Sequence, residues 1–154
     1  MNHYTVGYFV GSLAKASINR KLARAFKQAI AEVDAVLFVT PEYNRSIPGA
    51  LKNAIDWASR PYGKNSFTRK PSGVIGTSTG KIGTAVGQQH LRSILAFCNS
   101  PFMNAIEAYI QFTPGLITDD GEVTDQSTEE FLRNYIAEFA AFIARVYMAI
   151  PRGS

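Results

Sequence analysis

The stretch from Ala35 to Trp57 constrains the fold more than any other part of the chain. Ala35-Val-Leu-Phe-Val39 is short, apolar and unalternating, the pattern of a strand buried on both faces of a parallel sheet. Pro41 ends it, because proline has no N–H to give a strand ladder. Ser46 then precedes a helical pattern, and Pro48 stands near the first helical position, where a missing donor costs little. Leu51, Ile55 and Ala58 fall on one face of that helix. The residues left between, Pro41-Glu-Tyr-Asn-Arg45, lie at the carboxyl end of a parallel strand, where open α/β sheets hold their ligands.

Two further strand–loop–helix units read the same way. Thr5–Val10 is a first buried strand, followed by the loop Gly11–Asn19 and a helix beginning near Arg20. A small, hydroxyl-bearing loop ahead of a helix N-terminus suits a phosphate, because the first helical N–H groups are unpaired and carry partial positive charge. Ser12, Ser17 and Asn19 add side-chain donors. Read in isolation, Ser17 is better explained as a helix cap. Ser72–Gly80 is another strand ending in a small polar loop, and Thr77, Ser78, Thr79 and Gly80 let a backbone come close to a flat ring. A helix over 85–97 follows, with Leu91, Ile94, Leu95 and Cys98 inward. Pro101–Phe112 contains a fourth strand, Thr118–Glu122 is a turn, and Asp125–Glu130 opens a last helix with Ser127 or Thr128 as its cap. Phe131, Leu132, Tyr135, Ile136, Phe139, Phe142, Ile143 and Val146 give that helix a broad apolar stripe.

With 154 residues the chain is expected to be a single domain, 1–154, with one core. Lone Cys98 within a helical pattern reads as a buried, inert thiol. No apolar run reaches membrane-spanning length and Met1-Asn-His-Tyr lacks the form of a secretion signal, so the cytoplasm is the default location. The net charge of +4 is carried by scattered Lys and Arg without interleaved aromatics, which argues against nucleic acid and suits small anionic ligands. Paired catalytic carboxylates, metal clusters and Ser/His/Asp arrangements do not emerge, and His90 reads as a surface or interface residue, since nothing nearby supplies a nucleophile for it to activate.

Thr40-Pro41-Glu42-Tyr43-Asn44, Ser46-Ile47-Pro48-Gly49 and Leu51-Lys-Asn-Ala-Ile-Asp-Trp57 form a long, nearly unbroken match. Through them the chain resembles the NAD(P)H-dependent FMN reductases, a flavodoxin-like group that includes quinone, chromate and azo-dye reductases. The family's phosphate-loop pattern Gly-Ser-x-Arg-x-x-Ser-x-Asn is met at Gly11, Ser12, Ser17 and Asn19 but not at its arginine, where Ala14 stands beside Lys15. The resemblance implies a three-layer, doubly wound parallel sheet. It also implies FMN as cofactor, NADPH or NADH as co-substrate, a small-molecule electron acceptor, and a homodimer or homotetramer without a nucleic-acid or membrane partner.

On that resemblance, Gly11, Ser12, Ser17, Ile18 and Asn19 take the ribityl phosphate. Pro41, Glu42, Tyr43 and Asn44 line the ring, and Thr77, Ser78, Thr79 and Gly80 hold its polar edge. The implied cycle is ping-pong hydride transfer through FMN to quinone-like acceptors, with no catalytic side chain, since a flavin carries its own reactivity. The competing expectation is a flavodoxin-type electron carrier or flavin-binding protein without reductase activity of its own. Those carriers are typically acidic, unlike this chain, and lack the Pro-Glu-Tyr-Asn element.

One departure is topological. From Ile18 to Val33 helical spacing is continuous (Leu22, Phe26, Ala29, Ile30), where the family has a second strand and a long loop. Either that strand is absent, leaving the first strand's edge open, or a segment near Ala25-Phe26 is missing from the sequence.

Overall fold

The computed structural model describes residues 3–10 and 27–151. Its elements are β1 (Val6–Val10), a helical segment α1 over 27–32, β2 (Ala35–Val39), α2 (Gly49–Ala58), β3 (Ser72–Ser78), α3 (Ala85–Phe97), β4 (Tyr109–Gln111) and α4 (Gln126–Ala149). The strands form one sheet in the order β1-β2-β3-β4, and each neighbouring pair is parallel. Val10 lies opposite Val39, Val39 opposite Ile75 and Ser78 opposite Gln111, so the carboxyl ends of the strands share one rim. Among the described residues β1 is an edge strand with no family-type second strand beside it.

The unalternating apolar strands are explained by helices on both faces. Val36, Phe38 and Val74 pack with Ile30, Leu51, Ile55, Leu91 and Leu95 under α1, α2 and α3. Ala35, Leu37 and Ile75 face the opposite way, against Tyr135, Phe139 and Ile143 of α4. Adjacent residues of one strand thus point into two separate apolar clusters, which is why these strands do not alternate. Two lysines tie the sheet's flanks to the chain between α2 and β3. Lys27 Nζ donates to the carbonyls of Ala58, Arg60 and Lys64 at 3.1, 2.8 and 2.7 Å. Lys70 Nζ meets the Ile30 and Val33 carbonyls at the end of α1, and desolvation there lowers its pKa against the raising pull of Asp34.

The helices fall where apolar spacing places them, α3 with the expected bounds. Three details differ. The cap of α4 is Asp125, whose carboxylate accepts from the Thr128 N–H at 2.8 Å and from the Ser127 and Thr128 hydroxyls. The carboxylate outcompetes Ser127 and Thr128 as an acceptor and turns both into donors. On α4 only every fourth residue of the stripe, Tyr135, Phe139 and Ile143, is fully buried, while Ile136 stays half exposed. The fourth strand is confined to three residues near the end of its expected segment.

Candidate active site

The carboxyl ends of β1, β2 and β3 form the rim, with Val10 at the end of β1 beside Val39. Gly11, Ser12, Ser17, Ile18 and Asn19, expected as the first ligand loop, lie outside the described residues. The second leaves β2 at Thr40, whose N–H continues the ladder to the Ile75 carbonyl at 3.1 Å. It then closes a tight turn. The Tyr43 N–H donates to the Ser46 carbonyl at 2.9 Å and the Ser46 N–H to the Tyr43 carbonyl at 3.0 Å. Asn44 (φ 49) and Arg45 (φ 64) are both left-handed at the tip, as a two-residue primed turn requires. Tyr43 is 41% exposed beside that tip.

The third loop leaves β3 at Ser78. Gly80 N–H donates to Ser78 Oγ at 3.2 Å, Gly83 N–H to the Gly80 carbonyl at 2.9 Å, and Gln111 Nε2 to the Thr79 carbonyl at 3.3 Å. Thr77, Thr79 and Gly80 are exposed. A Cβ placed on Gly80 meets nothing closer than Ser78 Oγ at 3.6 Å, so the space above this residue is open. Gly76, one strand turn earlier, is the opposite case: a Cβ there falls 2.3 Å from both the Thr40 carbonyl oxygen and Thr84 Oγ1. The chain leaving β2 and the residue entering α3 close over that glycine. This draws the second and third loops together.

Sequence spacing therefore brings Pro41, Glu42, Tyr43 and Asn44 to the rim beside Thr77, Ser78, Thr79 and Gly80. It does not reveal the long-range partner of Glu42, or the contacts of Gly87, Gln88 and His90. Glu42 is turned away from the open rim: its Oε2 accepts the Gly87 N–H in the first turn of α3 at 2.8 Å. Gly87 is bare where the turn rests on it, with a hypothetical Cβ 3.2 Å from the Ser46 carbonyl. His90, one helical turn on, has Nδ1 3.0 Å from Ser46 Oγ. A hydroxyl does stand beside this imidazole, then, 44 residues away in sequence. Gln88 is fully buried, donating through Nε2 to Thr84 Oγ1 and the Ala108 carbonyl at 2.8 Å each. Alternating chemistry at 87 and 88, a glycine and an amide inside an apolar helix face, is the one sequence signal that could have marked this region.

The donor set suits a flat, polar-edged ring. Asn44 and Arg45 at the turn tip and Thr79 in the third loop have backbone N–H groups without protein partners among the described residues. Tyr43 offers an aromatic wall, and Gly80 an unobstructed approach. These residues fit the ring of a flavin.

A parallel sheet under helices on both faces, with ligand loops gathered on its carboxyl rim, defines a flavodoxin-like α/β protein. Residues 23–114 match the NADPH-dependent FMN reductase family, and the chain belongs to that family. It is 47% identical over 123 residues to a 2-hydroxy-1,4-benzoquinone reductase of Burkholderia sp, covering 80% of this chain and 67% of that one. It is 37% identical to a quinone reductase of Pseudomonas putida, covering 91% and 95% of the two chains. That alignment runs over 177 positions, more than the 154 residues present here, so the relative carries an internal stretch without a counterpart in this chain. Among solved structures, FerB of Paracoccus denitrificans, a flavoenzyme NAD(P)H:(acceptor) oxidoreductase, superposes with a TM-score of 0.81 at 38% identity, covering 93% and 98% of the two chains. Among the described residues, no helix is long and apolar enough to cross a membrane.

Proposed function

We propose that this protein is an NAD(P)H-dependent oxidoreductase that holds FMN on the carboxyl rim of its sheet and reduces quinones. The observation that carries the reading is the pairing of the Tyr43–Ser46 turn with the open Thr77–Gly80 loop on neighbouring strand ends. Relatives named as quinone reductases, aligned along most of their length, support the acceptor class.

Bound there, FMN would supply the hydride and electron chemistry, taking electrons from NAD(P)H and releasing them to the acceptor. The chain's own part is placement. Gly11, Ser12, Ser17, Ile18 and Asn19 anchor the phosphate, with Ala14 withholding one charged contact. Pro41, Tyr43 and Asn44, with the Glu42 main chain, set one wall, and Thr77, Ser78, Thr79 and Gly80 meet the polar edge through the main chain. No side chain is assigned a catalytic proton transfer; proximity and stacking account for the rate.

The same reading takes residues 1–154 as one flavin-binding domain that works in the cytoplasm as a homodimer or homotetramer. The exposed Tyr62 and Phe97 and the half-exposed Ile136 are available as subunit contacts. Light scattering at micromolar concentration tests the assembly, with a monomer as the contradicting result. NADPH and NADH oxidation measured with a benzoquinone tests the activity.

A further inference from the structure

We propose that Glu42 is a positioning residue: it caps helix α3 from another loop and so fixes the height of the ring-lining turn at which hydride transfer takes place. The proposal rests on the flavin reading above for its consequence, but on the protein's own contacts for its geometry.

Helix α3 lacks a cap from its own sequence. Its cap residue Thr84 makes no side-chain bond to the helix N–H groups, and Thr84 Oγ1 accepts instead from Gln88 Nε2 at 2.8 Å. The first turn contains no acidic residue. The early N–H groups of a helix have no partner within it, and a carboxylate is the favoured anion at that end. Glu42 supplies both, its Oε2 2.8 Å from the Gly87 nitrogen across 45 residues of sequence. Its side chain is only 7% exposed although it belongs to a loop. Burying a carboxylate is costly unless its oxygens are paired; the other oxygen, Oε1, lies 3.4 Å from the Arg45 guanidinium at the turn tip.

The turn also rests on the same point through its backbone. Gly87 presents no side chain, and a Cβ there would stand 3.2 Å from the Ser46 carbonyl oxygen and 3.4 Å from Glu42 Cγ. The residue before the turn and the residue that closes it therefore both bear on Gly87. Tyr43 and Asn44 extend from this support to the rim. A shift of the support is transmitted to them directly, and misplacement of about 1 Å costs roughly a hundredfold in an oriented reaction.

Three variants test this: Glu42→Ala, Glu42→Gln, which keeps an acceptor oxygen, and Glu42→Asp, whose carboxylate stops one methylene short. The first readout is hydrogen exchange of the Gly87 amide by NMR in protein without added FMN. The second is kcat and KM for NADPH-dependent quinone reduction at saturating FMN. Glu42→Ala is expected to speed Gly87 exchange and to lower kcat, each by about tenfold or more, while the quinone KM changes by less than about threefold. Glu42→Gln keeps an acceptor for the Gly87 N–H but not the anion, so both effects should fall between those of the wild type and Glu42→Ala. If Glu42→Ala does not fold, Glu42→Asp should show both effects in weaker form. Wild-type exchange and kcat in Glu42→Ala or Glu42→Asp, or a Glu42→Gln variant as damaged as Glu42→Ala, would overturn the proposal. Wild-type protein that neither binds FMN nor oxidises NADPH would remove the flavin reading, and with it the hydride-transfer role, while Gly87 exchange in the same variants would still decide the cap.

Discussion

Tyr135 of α4 lies directly over Gly73 of β3. A Cβ on Gly73 would stand 3.0 Å from the Tyr135 hydroxyl oxygen and 3.1 Å from the Phe139 ring. The hydroxyl donates to the Val74 carbonyl at 2.8 Å in an otherwise apolar layer. Glycine at 73 lets the helix come close enough for that bond to form. Tyr135→Phe should cost about 1 kcal/mol, and somewhat more if the Val74 carbonyl finds no other donor. Gly73→Val should cost about 1–3 kcal/mol by overpacking. Urea unfolding of the two variants checks both values.

The same phenol sets an alkaline limit. Burial is the main cause that pushes its pKa up from 10.0 to about 12. Between those values the folded protein retains a proton that the unfolded chain releases, so the stability this phenol contributes is constant below about pH 10 and falls as pH rises towards 12. Stability measured against pH should show that fall in the wild type, with this contribution absent in Tyr135→Phe.

Two glycines close together in β3 and the loop after it should respond in opposite ways. Gly76→Ala places a methyl group 2.3 Å from the Thr40 carbonyl oxygen and should prevent stable folding or shift the melting temperature sharply downwards. Gly80→Val meets only Ser78 Oγ near its Cβ and should keep the fold. It fills the open approach to the rim, so FMN affinity should fall by about tenfold or more. Thermal melting and fluorescence titration with FMN separate the two outcomes.

Cys98 is 4% exposed at the end of α3, and burial is the first cause that raises its thiol pKa. It should react with a thiol reagent only slowly in the native protein and at the rate of a free thiol after denaturation. Rapid native labelling would contradict the packing described for the α3 end.

Much of this architecture is readable from local pattern. Ala35–Val39 is apolar on both faces because two helical layers cover it, and Leu91 and Leu95 mark α3 because their spacing is helical. Pro41–Asn44 and Thr77–Gly80 can be placed at strand ends for the same reason. What the sequence conceals is long-range. Glu42 reads as one more residue of the ring loop, since nothing local says that its partner is the Gly87 N–H. The Ser46–His90 contact is hidden in the same way. Asp125 displaces Ser127 and Thr128 as a cap because a carboxylate is the stronger acceptor, a competition that residue spacing alone does not decide.

NADPH oxidation by the protein loaded with FMN and freed of unbound flavin, followed with and without a benzoquinone, tests the central claim most directly. The account predicts that FMN stays with the protein and that NADPH is consumed in proportion to the quinone supplied. Protein that emerges without flavin, or that holds FMN but oxidises no NADPH in the presence of quinone, would contradict it.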